Sequence, residues 1–343
     1  MEKMKRSTCG WARVSAAILL VLAASVGVGL SQQSLETNFR TTGAAVTGVF
    51  EPQRQAIQKF SAVIYEGRRE IAYGVVISAD GYILSKASEV DGKAGLSVRV
   101  DNTSYNSAKV VLVDQRWDVA LIKVDAAGLA PADFAESSDL PQGTWVVVNG
   151  ATSRTKRRVL AGIISAQRRE IVPTGGAVMG VQLAQAKGRI EVEEVSEGSG
   201  AESAGLKKGD VITSVDDKKM KDGDALTEYL KTKKAGEELK VSVKRGEEKL
   251  ELQVRLSARG EVFVELTRND EMSGDFSKRR SGFPKIIQHD VLANSDTMGG
   301  PVLNLAGKVV GMNIARANRA ETFAIPVEEL RKIATDMVIQ VSE

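Results

Sequence analysis

Between Ser61 and Val124 the chain alternates short β-type runs with turn formers: Ser61 to Tyr65, Tyr73 to Ser78, Tyr82 to Ser85, Leu96 to Val100, Lys109 to Val113 and Val119 to Val124. Runs of this length, rich in β-branched residues and closely spaced, predict a barrel or sandwich of antiparallel strands. Asp80-Gly81 sits between two of them and predicts a hairpin, because both residues tolerate the positive φ that such a turn demands.

A second stretch restricts the backbone further. Asp296-Thr297-Met298-Gly299-Gly300-Pro301-Val302-Leu303-Asn304 places two glycines and a proline before a short apolar strand. Glycine tolerates a sharp path with N–H groups turned towards a small cavity. Trp145 to Asn149 and Val159 to Arg168 read as strands before this point, Lys308 to Asn313 and Phe323 to Pro326 as strands after it, and Val327 to Met337 as a helix.

The N-terminus reads as a targeting segment. Lys3, Lys5, Arg6 and Arg13 precede an uncharged run from Val14 to Leu30, and Gly29-Leu30-Ser31 offers a small-residue cleavage site. The run is also near the lower length limit of a membrane span, so a cleaved export signal and a membrane anchor are both open, and either implies an exported, envelope or periplasmic protein. Residues 1–30 carry the whole positive surplus of the chain; the remainder has equal numbers of acidic and basic residues. Such a balance gives no reason to expect a nucleic-acid partner. Cys9 is the only cysteine and His289 the only histidine, so the sequence predicts neither a disulfide nor a zinc site, and no cofactor.

These stretches together resemble the HtrA/Deg branch of the trypsin-like serine proteases. Gly74-Val75-Val76-Ile77-Ser78-Ala79-Asp80-Gly81-Tyr82-Ile83-Leu84 resembles the family run that leads to the catalytic His, and the following segment, Ser85 to Gly92, puts Ser88 at that position. Arg116 to Asp125 is similar to the segment that carries the family's acid, which falls on Asp118. Asp296 to Pro301 resembles the family's Gly-Asn-Ser-Gly-Gly-Pro loop, with Met298 at the nucleophile position and Asp296 in place of a glycine. The resemblance implies a mainly β, two-barrel fold: a first barrel over residues 58–140 and a second over 141–172 and 283–338. Residues 32–57 are then a linker or short helix, and 259–282 a linker.

Residues 174–258 resemble a PDZ domain inserted into the second barrel. Ser199-Gly200-Ala201-Glu202-Ser203-Ala204-Gly205-Leu206-Lys207-Lys208-Gly209-Asp210-Val211-Ile212 carries that resemblance. It implies a carboxylate-binding loop and strand at Val178, Met179, Gly180, Val181, Gln182 and Leu183. Asp224 to Lys231 reads as the groove helix with Asp224 as N-cap, and Leu226 and Leu230 share one face that would line a side-chain pocket. The same apolar residues, and Met179, serve equally well as core. A PDZ groove takes extended peptides or protein C-termini by strand addition.

Trypsin-like hydrolysis needs a hydroxyl nucleophile, an imidazole base, an acid to orient it, and backbone donors for the oxyanion. Met298 has no proton to give up and Ser88 is no imidazole, so Ser88, Asp118 and Met298 are remnant positions with no intact catalytic set. A carboxylate at Asp296 would repel a developing oxyanion. The sequence therefore predicts a non-catalytic peptide-binding adaptor, sensor or regulator. The alternative is an endopeptidase with a rearranged site drawing on Ser295, Thr297 or His289, the last expected as a partly exposed residue beside Asp290; Met298 is expected as a plug between the barrels.

Overall fold

The structure is a computed structural model that describes residues 43–342, apart from 154–155, 174, 185–187, 264–267 and 273. Cys9, the apolar run and the cleavage site lie outside the described residues. Among the described residues no helix is long and apolar enough to cross a membrane. Residues 43–48 belong to a different unit from residues 49–342.

A helix, α1 (Glu51–Phe60), opens this part with Pro52 in its first turn, where the missing N–H costs nothing, and buries Ile57 and Phe60. Then come β1 (Ser61–Glu66), β2 (Arg69–Val76), β3 (Tyr82–Lys86), a four-residue helix α2 (Ala87–Val90), β4 (Leu96–Val100), β5 (Thr103–Tyr105), β6 (Lys109–Asp114) and β7 (Val119–Lys123). They form one barrel-like sheet in the order β5-β4-β1-β2-β3-β7-β6. The Ala108 N–H donates to the Leu96 carbonyl at 3.2 Å and draws the chain entering β6 towards β4. Asp80-Gly81 does form the β2–β3 turn, and Gly81 takes φ 103°. The hairpin strand β5 is additional to the six runs that the sequence predicts.

The second barrel begins with β8 (Trp145–Ser153) and β9 (Lys156–Ile171) and breaks off. The inserted unit comprises β10 (Ala177–Val178), β11 (Val181–Leu183), β12 (Ile190–Val195), a short helix α3 (Gly200–Ser203), β13 (Val211–Val215), β14 (Lys218–Lys219), α4 (Gly223–Lys231), β15 (Glu238–Arg245), β16 (Glu248–Arg255) and β17 (Ser257–Ala258). The barrel resumes with β18 (Phe283–His289), β19 (Pro301–Leu303), β20 (Val309–Arg316) and β21 (Thr322–Pro326), and α5 (Val327–Ser342) ends the described chain. Strands β18-β21-β20-β19-β8-β9 close on themselves. Ile171, where the barrel is left, pairs with Phe283, where it is rejoined, so β9 and β18 stay paired across the insertion, with shifts in register along their length. β10 pairs with β17 and brings the two ends of the insert together.

Burial follows this division. One cluster runs from the first sheet into the second barrel, joining Ile57, Val75 and Leu121 to Phe283, Leu303 and Met312. A smaller cluster around Val146, Val148, Val302 and Val310 fills part of the second barrel, and a third, around Met179, Ile212, Leu226 and Val241, belongs to the insert alone. Each fully buried aliphatic side chain contributes about 1.5–3 kcal/mol of transfer free energy, so the insert has a stabilising core of its own while the first sheet and the second barrel share one. Arg157 is the largest fully buried side chain. It reaches from β9 to the carbonyls of Ser61 at 2.9 Å and Arg99 at 3.2 Å and so fastens the second barrel to the first sheet.

Candidate functional site

Asp114 begins the local structure that sets Asp118. Its carboxylate accepts from the N–H groups of Arg116 at 2.8 Å and Trp117 at 3.1 Å, the short turn that Asp side chains favour. The chain then passes through Asp118 at φ 58°, which puts its buried carboxylate under α2. There Asp118 accepts the Ser88 N–H at 2.7 Å and the Ser88 hydroxyl at 3.0 Å, while its own carbonyl accepts the Ala87 N–H at 2.8 Å. Both oxygens of the acid thus hold a serine and the start of a helix.

The Met298 loop docks on the other side. Met298 is fully buried, and its carbonyl accepts the Tyr73 N–H at 2.8 Å, a bond from the loop to the first sheet. Gly299 follows at φ 87°. A Cβ at that residue would overlap the Tyr73 carbonyl oxygen and lie 3.0 Å from Ser85 Oγ and 3.1 Å from Lys86 N, so the loop lies directly against the strand that leads to Ser88. The Met298 loop and the Ser88–Asp118 pair therefore meet the same strand at the junction of the two barrels.

Asp296 and Thr297 lie in a one-turn 3₁₀ segment, Ser295–Thr297, in which the Thr297 N–H and hydroxyl both donate to the Asn294 carbonyl, at 3.1 and 2.7 Å. Burial pushes the Asp296 carboxyl above its usual range, and the neighbouring Asp275 adds to the effect. The Ser295 side chain lies outside the described residues.

His289 is fully buried, where the sequence suggested partial exposure. It lies within the second barrel, its Nε2 facing the Asn313 side-chain oxygen at 2.8 Å and its Nδ1 accepting the Val291 N–H at 3.3 Å. The proton therefore sits on Nε2 and both nitrogens are engaged. Burial holds this imidazole down to about 4. A base needs an open lone pair, and the Nδ1 lone pair of His289 is taken by the Val291 N–H, while the Ser88 and Thr297 hydroxyls donate to Asp118 and to the Asn294 carbonyl.

In the insert, β11 pairs with β12 on one side and forms the end of its sheet. Gly180, at φ 85°, turns the chain into β11. A Cβ there would collide with Ser199, whose hydroxyl caps α3. The Ala201 N–H donates to the Met179 carbonyl and the Ser196 N–H to the Gly180 carbonyl, at 3.0 and 2.8 Å, which fixes the loop with its carbonyls turned inward. Among the described residues the N–H groups of Met179 and Gly180 donate to no acceptor. Leu183 meets the start of α4: a Cβ at Gly223 would sit 3.2 Å from its Cδ1. Asp222 caps that helix by accepting the Ala225 N–H at 2.8 Å, in place of the expected Asp224, which lies inside the first turn. Val178, Val181, Leu183 and Leu230 are half-buried and Gln182 is exposed, whereas Met179 and Leu226 are in the core of the unit. Of the leucine pair only Leu230 retains an open face.

Known proteins share both parts of this arrangement. Residues 72–201 match the family described as trypsin-like peptidase domain, and residues 177–256 match the family described as PDZ domain. This is an HtrA-like chain, a trypsin-fold domain combined with a PDZ domain. It is 37% identical over 106 residues to a "Probable periplasmic serine endoprotease DegP-like" of Halomonas elongata, covering 31% of this chain and 22% of the relative. A protein of the same description from Pseudomonas savastanoi pv. phaseolicola is 35% identical over 103 residues, again 22% of its length, so the HtrA-like chain matches about a fifth of these relatives. A crystal structure of Rv3671c from M. tuberculosis H37Rv in an inactive form superposes with a TM-score of 0.44 at 15% identity, over 84% of this chain and 92% of that one.

Proposed function

We propose that this HtrA-like chain is a non-catalytic peptide-binding protein of the cell envelope, which takes peptide segments or protein C-termini through its PDZ domain as an adaptor, sensor or regulator. The observation that carries the reading is the open edge of β11. It follows directly on the Met179 and Gly180 N–H groups and lies beside α4, and an extended peptide adds to such an edge as a strand while loop N–H groups receive its terminal carboxylate. Val181, Leu183 and Leu230 supply the half-buried apolar walls for its side chains.

The barrel junction supports binding without hydrolysis. A thioether stands where a nucleophile is needed, a serine stands where a base is needed, and that serine's hydroxyl donates to Asp118. An envelope location, with residues 14–30 as cleaved signal or anchor, fits the description of the relatives as periplasmic. The test is to incubate the protein with a library of peptides carrying free C-termini, and to follow retention by affinity capture and integrity by mass spectrometry, beside a fluorophosphonate probe. Retained, intact peptides and no labelling are expected. Cleavage products that scale with protein, together with labelling of a hydroxyl, would overturn the non-catalytic reading.

A further inference from the structure

An irregularity in β12 decides which side chains stand beside the open edge of β11. Gln182 lies opposite Glu194 and Leu183 opposite Val192, so Glu193 is one residue more than β11 matches. Such a bulge breaks the in-and-out alternation of a strand. Val192 and Val195 pack into the core of the PDZ domain, while Glu193 and Glu194, consecutive residues, are both exposed beside the exposed Gln182. Among the described residues neither of these carboxylates has a partner, whereas Glu191 pairs with Arg189 and Glu202 accepts the Gly198 N–H at 2.6 Å.

Gln182, Glu193 and Glu194 line a cleft of about 500 Å³, which Glu202, Lys207 and Lys208 share. The two lysines belong to the loop that bonds the far side of β12. There the Gly209 N–H donates to the Val192 carbonyl and the Val192 N–H to the Asp210 carbonyl, both at 2.8 Å. A strand added to β11 arrives from the other side and meets the two carboxylates first.

Directly opposed residues of antiparallel strands share a face of the sheet. With its terminal carboxylate at the Met179 and Gly180 N–H groups, a peptide sets its last residue opposite Val181, the one before it opposite Gln182 and the third opposite Leu183. The first and third side chains enter the groove beside α4. The penultimate one points outward with Gln182, towards Glu193 and Glu194. Its backbone is two strand spacings, roughly 10 Å, from that of β12, a span that two long side chains close between them and a short one does not.

Resting on the reading of β11 as the peptide edge, we propose that Glu193 and Glu194 make the groove selective for lysine or arginine at the penultimate position of the C-terminus it takes. The ligands are then chain ends in which a basic residue precedes a final apolar one, the apolar side chain lying against Val181 and Leu230.

The test immobilises the full chain and offers it three pools of decapeptides, random except for a C-terminal valine with a free carboxylate and Lys, Gln or Glu just before it. Captured peptides are quantified by mass spectrometry. Capture is expected to fall from Lys to Gln to Glu, by about fivefold or more between the ends, the factor an exposed ion pair supplies, and the difference should shrink as salt is raised. Glu193→Gln with Glu194→Gln should level the three pools, and Glu193→Lys with Glu194→Lys should reverse their order. These changes fall on exposed side chains, so each variant should still lose its peptides on C-terminal amidation. Equal capture of the three pools by the wild-type chain, still dependent on the free carboxylate, would overturn the selectivity and leave the groove standing. Capture of none of them would overturn the groove and the selectivity with it.

Discussion

Ser88 and Asp118 hold each other through two hydrogen bonds, backbone N–H to Oδ1 at 2.7 Å and hydroxyl to Oδ2 at 3.0 Å. The carboxylate thereby receives the N–H and the hydroxyl of the second residue of a four-residue helix. Asp118→Ala should cost about 1–2 kcal/mol, as loss of a helix cap does. Asp118→Asn keeps one acceptor and tolerates φ 58°, and should cost less than about 0.5 kcal/mol. Urea unfolding of the two variants against wild type gives both values.

Gly299 is the position at which the Met298 loop is least forgiving. Any side chain there meets the Tyr73 carbonyl oxygen and strains a backbone at φ 87°. Gly299→Ala should destabilise by roughly 2–3 kcal/mol, and the loss should appear as well in faster amide exchange at Tyr73, whose N–H the loop carbonyl accepts.

His289 makes stability depend on pH with a definite sign. Its folded value of about 4 lies below the ordinary 6.5 because burial disfavours the cation, against opposing pulls from Asn313 and Asp290. The contribution is complete above about pH 6.5 and is lost as pH falls towards 4, by roughly 3 kcal/mol at the low end. An NMR titration of the single imidazole should find no midpoint above pH 5, and His289→Gln should flatten the stability profile between pH 6.5 and 4.

Much of the fold could be read from local chemistry. The Asp80-Gly81 turn, the alternating runs of the first sheet and the Gly209-Asp210 signal of the insert each depend on residues within a few positions of one another. Contacts between distant segments could not be read. Arg157 appears as one of a basic run, yet it is buried because Ser61 and Arg99 carbonyls face it from another sheet. His289 sits beside a charged Asp290 in sequence, which suggests exposure, whereas β20 and β21 close over it. Ser277 and Arg279 carry no motif at all, and their placement depends on carbonyls from residues 115, 116 and 316. Asp224 reads as the cap of α4, whereas helical geometry begins at Gly223 and leaves Asp222, in extended backbone, at the cap.

Asp210 tests whether the PDZ domain stands on its own core. It is fully buried, accepts from Arg245 Nε at 2.7 Å and Nη2 at 2.8 Å, and receives the Lys207 N–H at 2.9 Å; Arg245 holds its carboxyl below the usual range. Arg245 is a third exposed and keeps the Gly205 carbonyl, so the loss is chiefly that of hydrogen bonds to a charged group, and Asp210→Ala should cost the PDZ domain about 1.5–3 kcal/mol. Calorimetry should resolve an earlier transition for this unit while the barrels unfold as in wild type.

Peptide capture rests on the edge of β11 and the N–H groups of Met179 and Gly180. The most direct measurement is fluorescence anisotropy of the full chain with one retained peptide in two forms, free acid and C-terminal amide. Binding of the acid is expected, with a loss of at least about tenfold for the amide, the value of a charge-assisted hydrogen bond to the carboxylate. Equal binding of both forms, or binding of neither, would contradict it.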